Sequence, residues 1–134
     1  MRDVRVDAVL LALGAVELAT GVLMLAAPAT FFDLIASFEP PNDHFIRDLG
    51  TFTVAYGAAL LWSVRAPAWR LPLIAFGLAQ FALHVVNHIA DVDAAREEGH
   101  GVVNVITLSL GLLLLAWLAR AERARLRAGS AGRG

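Results

Sequence analysis

Four stretches of this chain, 18–32, 49–64, 71–90 and 99–119, contain no Asp, Glu, Lys or Arg. A hydrocarbon layer of about 30 Å needs about 20 mostly apolar helical residues to cross it, and each stretch, extended by a flanking turn, meets that length. Four membrane-spanning helices are therefore expected near 8–27, 45–65, 70–91 and 101–120. The fold class is all-α: an integral membrane four-helix bundle running up-down-up-down as a single domain over 1–134, with a basic tail at 121–134. Composition agrees. Of 134 residues, 58% are hydrophobic and 17% charged, where soluble domains run at about 45–50% and about 25%. A soluble bundle of this length has too little interior to hide four helices apolar on every side.

The first apolar run follows Arg2 and Arg5, and Ala27-Pro28-Ala29 has the form of a signal-peptide cleavage site. A signal h-region is uncharged and roughly 7–15 residues long. The run here is longer and carries Glu17 at its centre, so a retained membrane helix is expected. The chain has no cysteine, which excludes a disulfide, a thiolate metal site or a CxxC redox pair within it. Its net charge of −1 argues against a nucleic-acid partner.

All 11 basic residues are arginines, and they are sorted. Arg2, Arg5, Arg65, Arg70, Arg120, Arg123, Arg125, Arg127 and Arg133 fall at one set of helix ends, and only Arg47 and Arg96 at the other. The positive-inside rule places both termini in the cytoplasm. Trp62, Trp69 and Trp117 fall at the same cytoplasmic ends, where an amphipathic ring prefers to sit. Phe31, Phe32, Phe38 and Phe45 decorate the opposite side. Pro28 should end the first helix, the loop after it can hold an interfacial turn, and Asn42-Asp43 should cap the second.

Within the apolar third segment, Gln80, His84, Asn87, His88 and Asp91 recur at i, i+4, i+7, i+8 and i+11, which places them on one stripe. The second helix begins with His44 and Asp48, and the fourth with His100 followed by Asn104 and Thr107. In the topology above, all three polar sets meet at the outer surface and form one vestibule. Glu17 lies deeper, at the level of Gln80 and Tyr56. A mid-helix carboxylate costs about 2.5–3.5 kcal/mol to insert, and six leucines and three valines in the first helix offset it at about 0.3–0.6 kcal/mol each. Gly14 and Gly21 flank Glu17, and with Gly50 and Gly57 they would allow close backbone approach. Glu17 is expected to hold a proton or share one with Gln80 or Tyr56.

These residues support several chemistries. His84 and His88 can ligate one divalent metal from a single helix face, with His44 or Asp48 completing the shell. An HExxH glutamate is missing, so hydrolysis is disfavoured. A quinone or lipid could be held by its head on His84, His88 and Asp48 with its tail between helices; haem ligation by His44 with His84 or His88 is a weaker candidate. Glu17, Gln80, His84 and Asp91 could instead relay protons. A non-catalytic accessory subunit of a larger membrane complex is the fourth reading. Each residue also has a plainer role: Asp43, Arg47 and Asp48 as surface charges, His100 as a loop residue, and Gln80, Asn104 and Thr107 as interhelical hydrogen-bond partners.

The segment "NDHFIRDLGTFTVAYG" at 42–57, followed by His-x3-His, resembles the DoxX-like superfamily of small four-helix bacterial membrane proteins. The likeness covers most of 8–120 and is sharpest at the H-x2-R-D-L/V-G start of the second helix, here His44, Arg47, Asp48, Leu49 and Gly50. It implies a multi-pass protein of the bacterial inner membrane, and some relatives are linked to larger quinone-coupled redox complexes; close packing through Gly50 and Gly57 could equally serve a homodimer or the monomer core. The absence of cysteine argues against a thiol-based redox role.

Overall fold

The computed structural model describes residues 4–36 and 38–131, and every regular element among them is helical. Helix α1 spans Val4–Ala26 and is broken by Pro28. The ring cannot donate to the carbonyl four residues back, and it drives the preceding residue out of helical geometry; Ala27 accordingly sits at φ −145°, ψ 65°. Pro28 then starts the short helix α2, Pro28–Leu34. Helix α3, Asp43–Ser63, opens on the expected cap, with the Asn42 side chain accepting from the Phe45 amide at 3.0 Å. A 3-10 turn at Pro67–Trp69 leads into α4, Arg70–Ala90, and a second at Val92–Ala94 leads toward α5, His100–Ala131.

Among the described residues, three segments are long and apolar enough to cross a membrane: Val4–Ala26, Pro67–Ala90 and His100–Ala131. Helix α3 has the length at 21 residues but is less apolar, because Asp43, Arg47 and Asp48 crowd its first turns and Thr, Gly and Tyr its middle. The outer faces stay apolar along the helices. Leu83 is 72% exposed, Leu110 62% and Leu113 65%, and a stripe of this kind is unusual on a chain bathed only in water.

Two antiparallel pairs carry the packing: α1 lies chiefly on α3, and α4 on α5, with much sparser contact between the pairs. The expected glycines make the first contact. Gly14 faces Gly57 and Gly21 faces Gly50; a methyl built on Gly57 would stand 2.5 Å from the Leu18 backbone nitrogen, and one on Gly21 2.6 Å from that of Val54. In the second pair, Gly111 receives the Phe81 ring, and Gly101 lies against the Val92 carbonyl. The pairs are joined where Tyr56 of α3 donates to the Leu73 carbonyl of α4 at 3.2 Å.

The main core lies at the Arg70 end, where Val6, Leu10, Leu60, Ile74, Leu115 and Leu118 interdigitate from all four long helices. A smaller cluster of Met24, Phe32 and Ile46 occupies the opposite, His88 end. Helix α5 continues unbroken into the basic segment after residue 120 as far as Ala131, and within it Glu122 is buried and ion-paired with Arg125. Arg2 and Arg133, counted in the charge asymmetry, lie outside the described residues, as do 132–134 of the tail.

Candidate functional site

At the His88 end the sparse contact between the helix pairs leaves a cavity of about 530 Å³. Its walls are apolar: Phe31 and Phe32 from α2, Phe45, Ile46 and Leu49 from α3, and Leu108 from α5. Polar side chains reach it from His84 and His88 of α4 and Asn104 and Thr107 of α5, and from Glu39 and Asn42 of the connection between α2 and α3. A volume of this size falls within the range of about 300–1,000 Å³ that small-molecule sites occupy.

His84 and His88 stand one helical turn apart, and their Nε2 atoms are 3.1 Å from each other. A hydrogen bond between two imidazole nitrogens requires one to donate and the other to accept. In a neutral pair, one ring therefore carries its proton on Nε2 and the other on Nδ1. The pair so offers one donor and one acceptor beyond their mutual bond. Phe38 meets the His88 ring edge-on, with centroids 5.2 Å apart. His88 Nδ1 is shielded from solvent and finds no hydrogen-bond partner among the described residues. An orphaned buried polar atom of this kind costs about 1–3 kcal/mol.

Only part of the expected vestibule assembles. His44 and Asp48 pair with each other at 3.5 Å on the exposed face of α3, and Arg47 pairs with Asp43 at 3.7 Å; none of the four lines the cavity. The glycine contact explains this. Gly50 and Gly57, turned onto α1, fix the rotation of α3. At about 100° per residue, His44 and Asp48 then lie nearly opposite the buried Ile46. The four-ligand metal set of His84, His88, His44 and Asp48 is thus split into two pairs. Among the described residues no three His, Cys, Asp or Glu come together closely enough to hold one metal ion.

The stripe on α4 is covered only in its middle. Asn87 and Asp91 are exposed where the helix ends, while Gln80 and Glu17 are half-buried. Tyr56 is buried, and its hydroxyl donates to the Leu73 carbonyl. His100 begins α5 and pairs with Glu97 at 3.3 Å, beside a smaller recess of about 170 Å³. Arg96 ties the α4–α5 connection to the cavity wall. Its guanidinium lies 4.8 Å above the Phe32 ring, donates to the Asp33 carbonyl at 3.4 Å and pairs with Glu39 at 3.9 Å.

A second polar cluster escaped the sequence reading altogether. Arg70 is 1% exposed and gathers three elements at the opposite end of the molecule. Its Nε donates to the Ser63 carbonyl and its Nη2 to that of Val64, each at 3.1 Å. The same Nη2 donates to Asp7 of α1, and Nη1 lies 4.0 Å from Glu122 of α5. Glu122, also 1% exposed, is grasped by Arg125 through both carboxylate oxygens. The signal was available: Asp3, Asp7 and Glu122 are the only acids on the arginine-rich side of the chain. An acid placed alone among arginines suggests an inward partner.

Comparison of the chain with family models, with curated proteins and with solved structures returns no match.

Proposed function

We propose that this is a four-span integral membrane protein whose cavity binds an amphipathic small molecule. The observation that carries the proposal is the lining of the 530 Å³ cavity: aromatic and aliphatic walls, with His84, His88, Asn104 and Thr107 supplied by the α4–α5 pair and Glu39 and Asn42 by the connection before α3. An apolar body would occupy the walls, and a head bearing a carbonyl or hydroxyl would exchange hydrogen bonds with the imidazole pair. A quinone-like ring or a lipid has this character. Helix α3 joins the three more apolar helices as the fourth span. Its Asp43, Arg47 and Asp48 lie within its first turns, at the level of the headgroups. The bundle then runs up-down-up-down with both termini in the cytoplasm and the cavity toward the outer face, in keeping with the DoxX-like resemblance and a bacterial inner-membrane location.

The binding reading is tested by organic extraction of protein purified in mild detergent, followed by mass spectrometry. Wild type is expected to retain one amphipathic species near stoichiometry. A His84→Leu/His88→Leu variant should lose it by about tenfold or more, since each buried polar partner left unmatched costs about 1–3 kcal/mol. Extracts that match between the two proteins would remove the reading. Topology has its own test, helped by the absence of native cysteine. Single cysteines placed at Asp93 and at Arg127 should react with an impermeant maleimide from opposite sides of the membrane. Labelling of both from one side would refute four spans.

A further inference from the structure

We infer that Arg120, Arg123 and Arg127 form a docking stripe for the phosphates of anionic lipid headgroups. The inference rests on the membrane reading of α5 and adds a lipid class to it. At about 100° per residue, spacings of i, i+3 and i+7 place the three side chains within about 60° of one another. Leu115, Leu118 and Glu122 project from the other side of the same helix and are buried. All three arginines are exposed, and the helix that bears them continues to Ala131. The stripe is therefore held on a rigid rod. From Arg120 to Arg127 it rises about 10 Å, comparable with the depth of a headgroup layer.

Charge sorting at this end supplies the second argument. The described carboxylates here, Asp7 and Glu122, are only 16% and 1% exposed and are engaged by Arg70 and Arg125. The outward surface of the same end thus presents arginines, Arg65 among them, with the acids turned inward. Trp62, Trp69 and Trp117 are exposed on the same rim, and indole rings favour the membrane–water boundary. A guanidinium matches phosphate with a planar pair of N–H donors. Phosphate held at the membrane plane meets all three features, which a soluble acidic partner would not need.

The test uses the full chain reconstituted in phosphatidylcholine bilayers carrying a trace of spin-labelled phosphatidylglycerol or spin-labelled phosphatidylcholine. The motionally restricted fraction of each label is read by electron paramagnetic resonance. Wild type should favour phosphatidylglycerol by about fivefold for each arginine engaged. The preference should collapse toward parity at about 1 M salt, where screening acts over about 3 Å, and in the Arg120→Gln/Arg123→Gln/Arg127→Gln variant. Equal restriction of both lipids by wild type, or a preference that the triple variant keeps, overturns the stripe. Loss of protein from the bilayers in an alkaline wash would overturn the membrane reading and the stripe together, whereas retention without lipid preference overturns the stripe alone.

Discussion

Arg70→Ala is expected to destabilise the fold by about 3–5 kcal/mol, the cost of removing one partner from a buried ion pair and stranding the other. The geometry explains why so much rests on one side chain. The Arg70 guanidinium reaches α1 through Asp7, the end of α3 through the Ser63 and Val64 carbonyls, and α5 through Glu122. Arg70→Lys should recover only part of the loss. A compact ammonium keeps the charge but cannot span these acceptors with a planar fork. The decisive comparison is Arg70→Met combined with Asp7→Asn. If stranded charge is the main penalty, the double variant should be more stable than Arg70→Ala, and a mutant cycle should return a coupling of at least about 1 kcal/mol. Equilibrium unfolding in detergent reads both quantities. An Arg70→Ala loss below about 1 kcal/mol would show that the cluster does not hold this end together.

The second large effect is expected at the glycine contact between α1 and α3. A methyl on Gly57 would meet the Leu18 backbone nitrogen at 2.5 Å and the Gly14 carbonyl oxygen at 2.9 Å; one on Gly21 would meet the Val54 nitrogen at 2.6 Å. Backbone atoms cannot swing aside as a rotamer does, so the helices themselves must separate. Gly57→Ala and Gly21→Ala should each cost about 1–3 kcal/mol, and Gly57→Leu more. Gly111→Ala is the informative control, because its added methyl meets the Phe81 ring at 2.5 Å, a side chain that can rotate. It should cost less than Gly57→Ala in the same thermal unfolding assay. Equal losses at the two sites would mean that close approach of α1 and α3 backbones is not the stabilising element.

These two sites differ in how readable they were. Gly14, Gly21, Gly50 and Gly57 announced themselves by spacing and by their place on apolar helices, and the structure sets them against each other. The helix ends were legible for the same local reasons: Pro28 breaks a ladder, and Asn42 caps one. His84 and His88 could be paired from sequence because a helical turn fixes i and i+4 whatever surrounds them. What could not be read was the rotation of one helix relative to another. His44 and Asp48 share the spacing logic of His84 and His88, yet they face away from the cavity, because the Gly50–Gly21 contact decides which side of α3 is inward. The cavity is a gap between tertiary neighbours, and no local pattern encodes a gap. Arg70 was hidden differently: as a loop-flanking arginine it satisfied the charge-asymmetry rule, and that sufficient explanation masked its buried partners Asp7 and Glu122.

The uneven distribution of contacts bears on how the polypeptide is made. Helices α1 and α3 are consecutive long segments joined through α2, and α4 and α5 are joined through the 3-10 turn at Val92–Ala94. Each tight pair can therefore close from contiguous chain as it leaves the ribosome, the first before the second has been synthesised. The cavity, the contacts of Arg96 and the Arg70 cluster all lie between the two pairs, so they are complete only once the hairpins have docked.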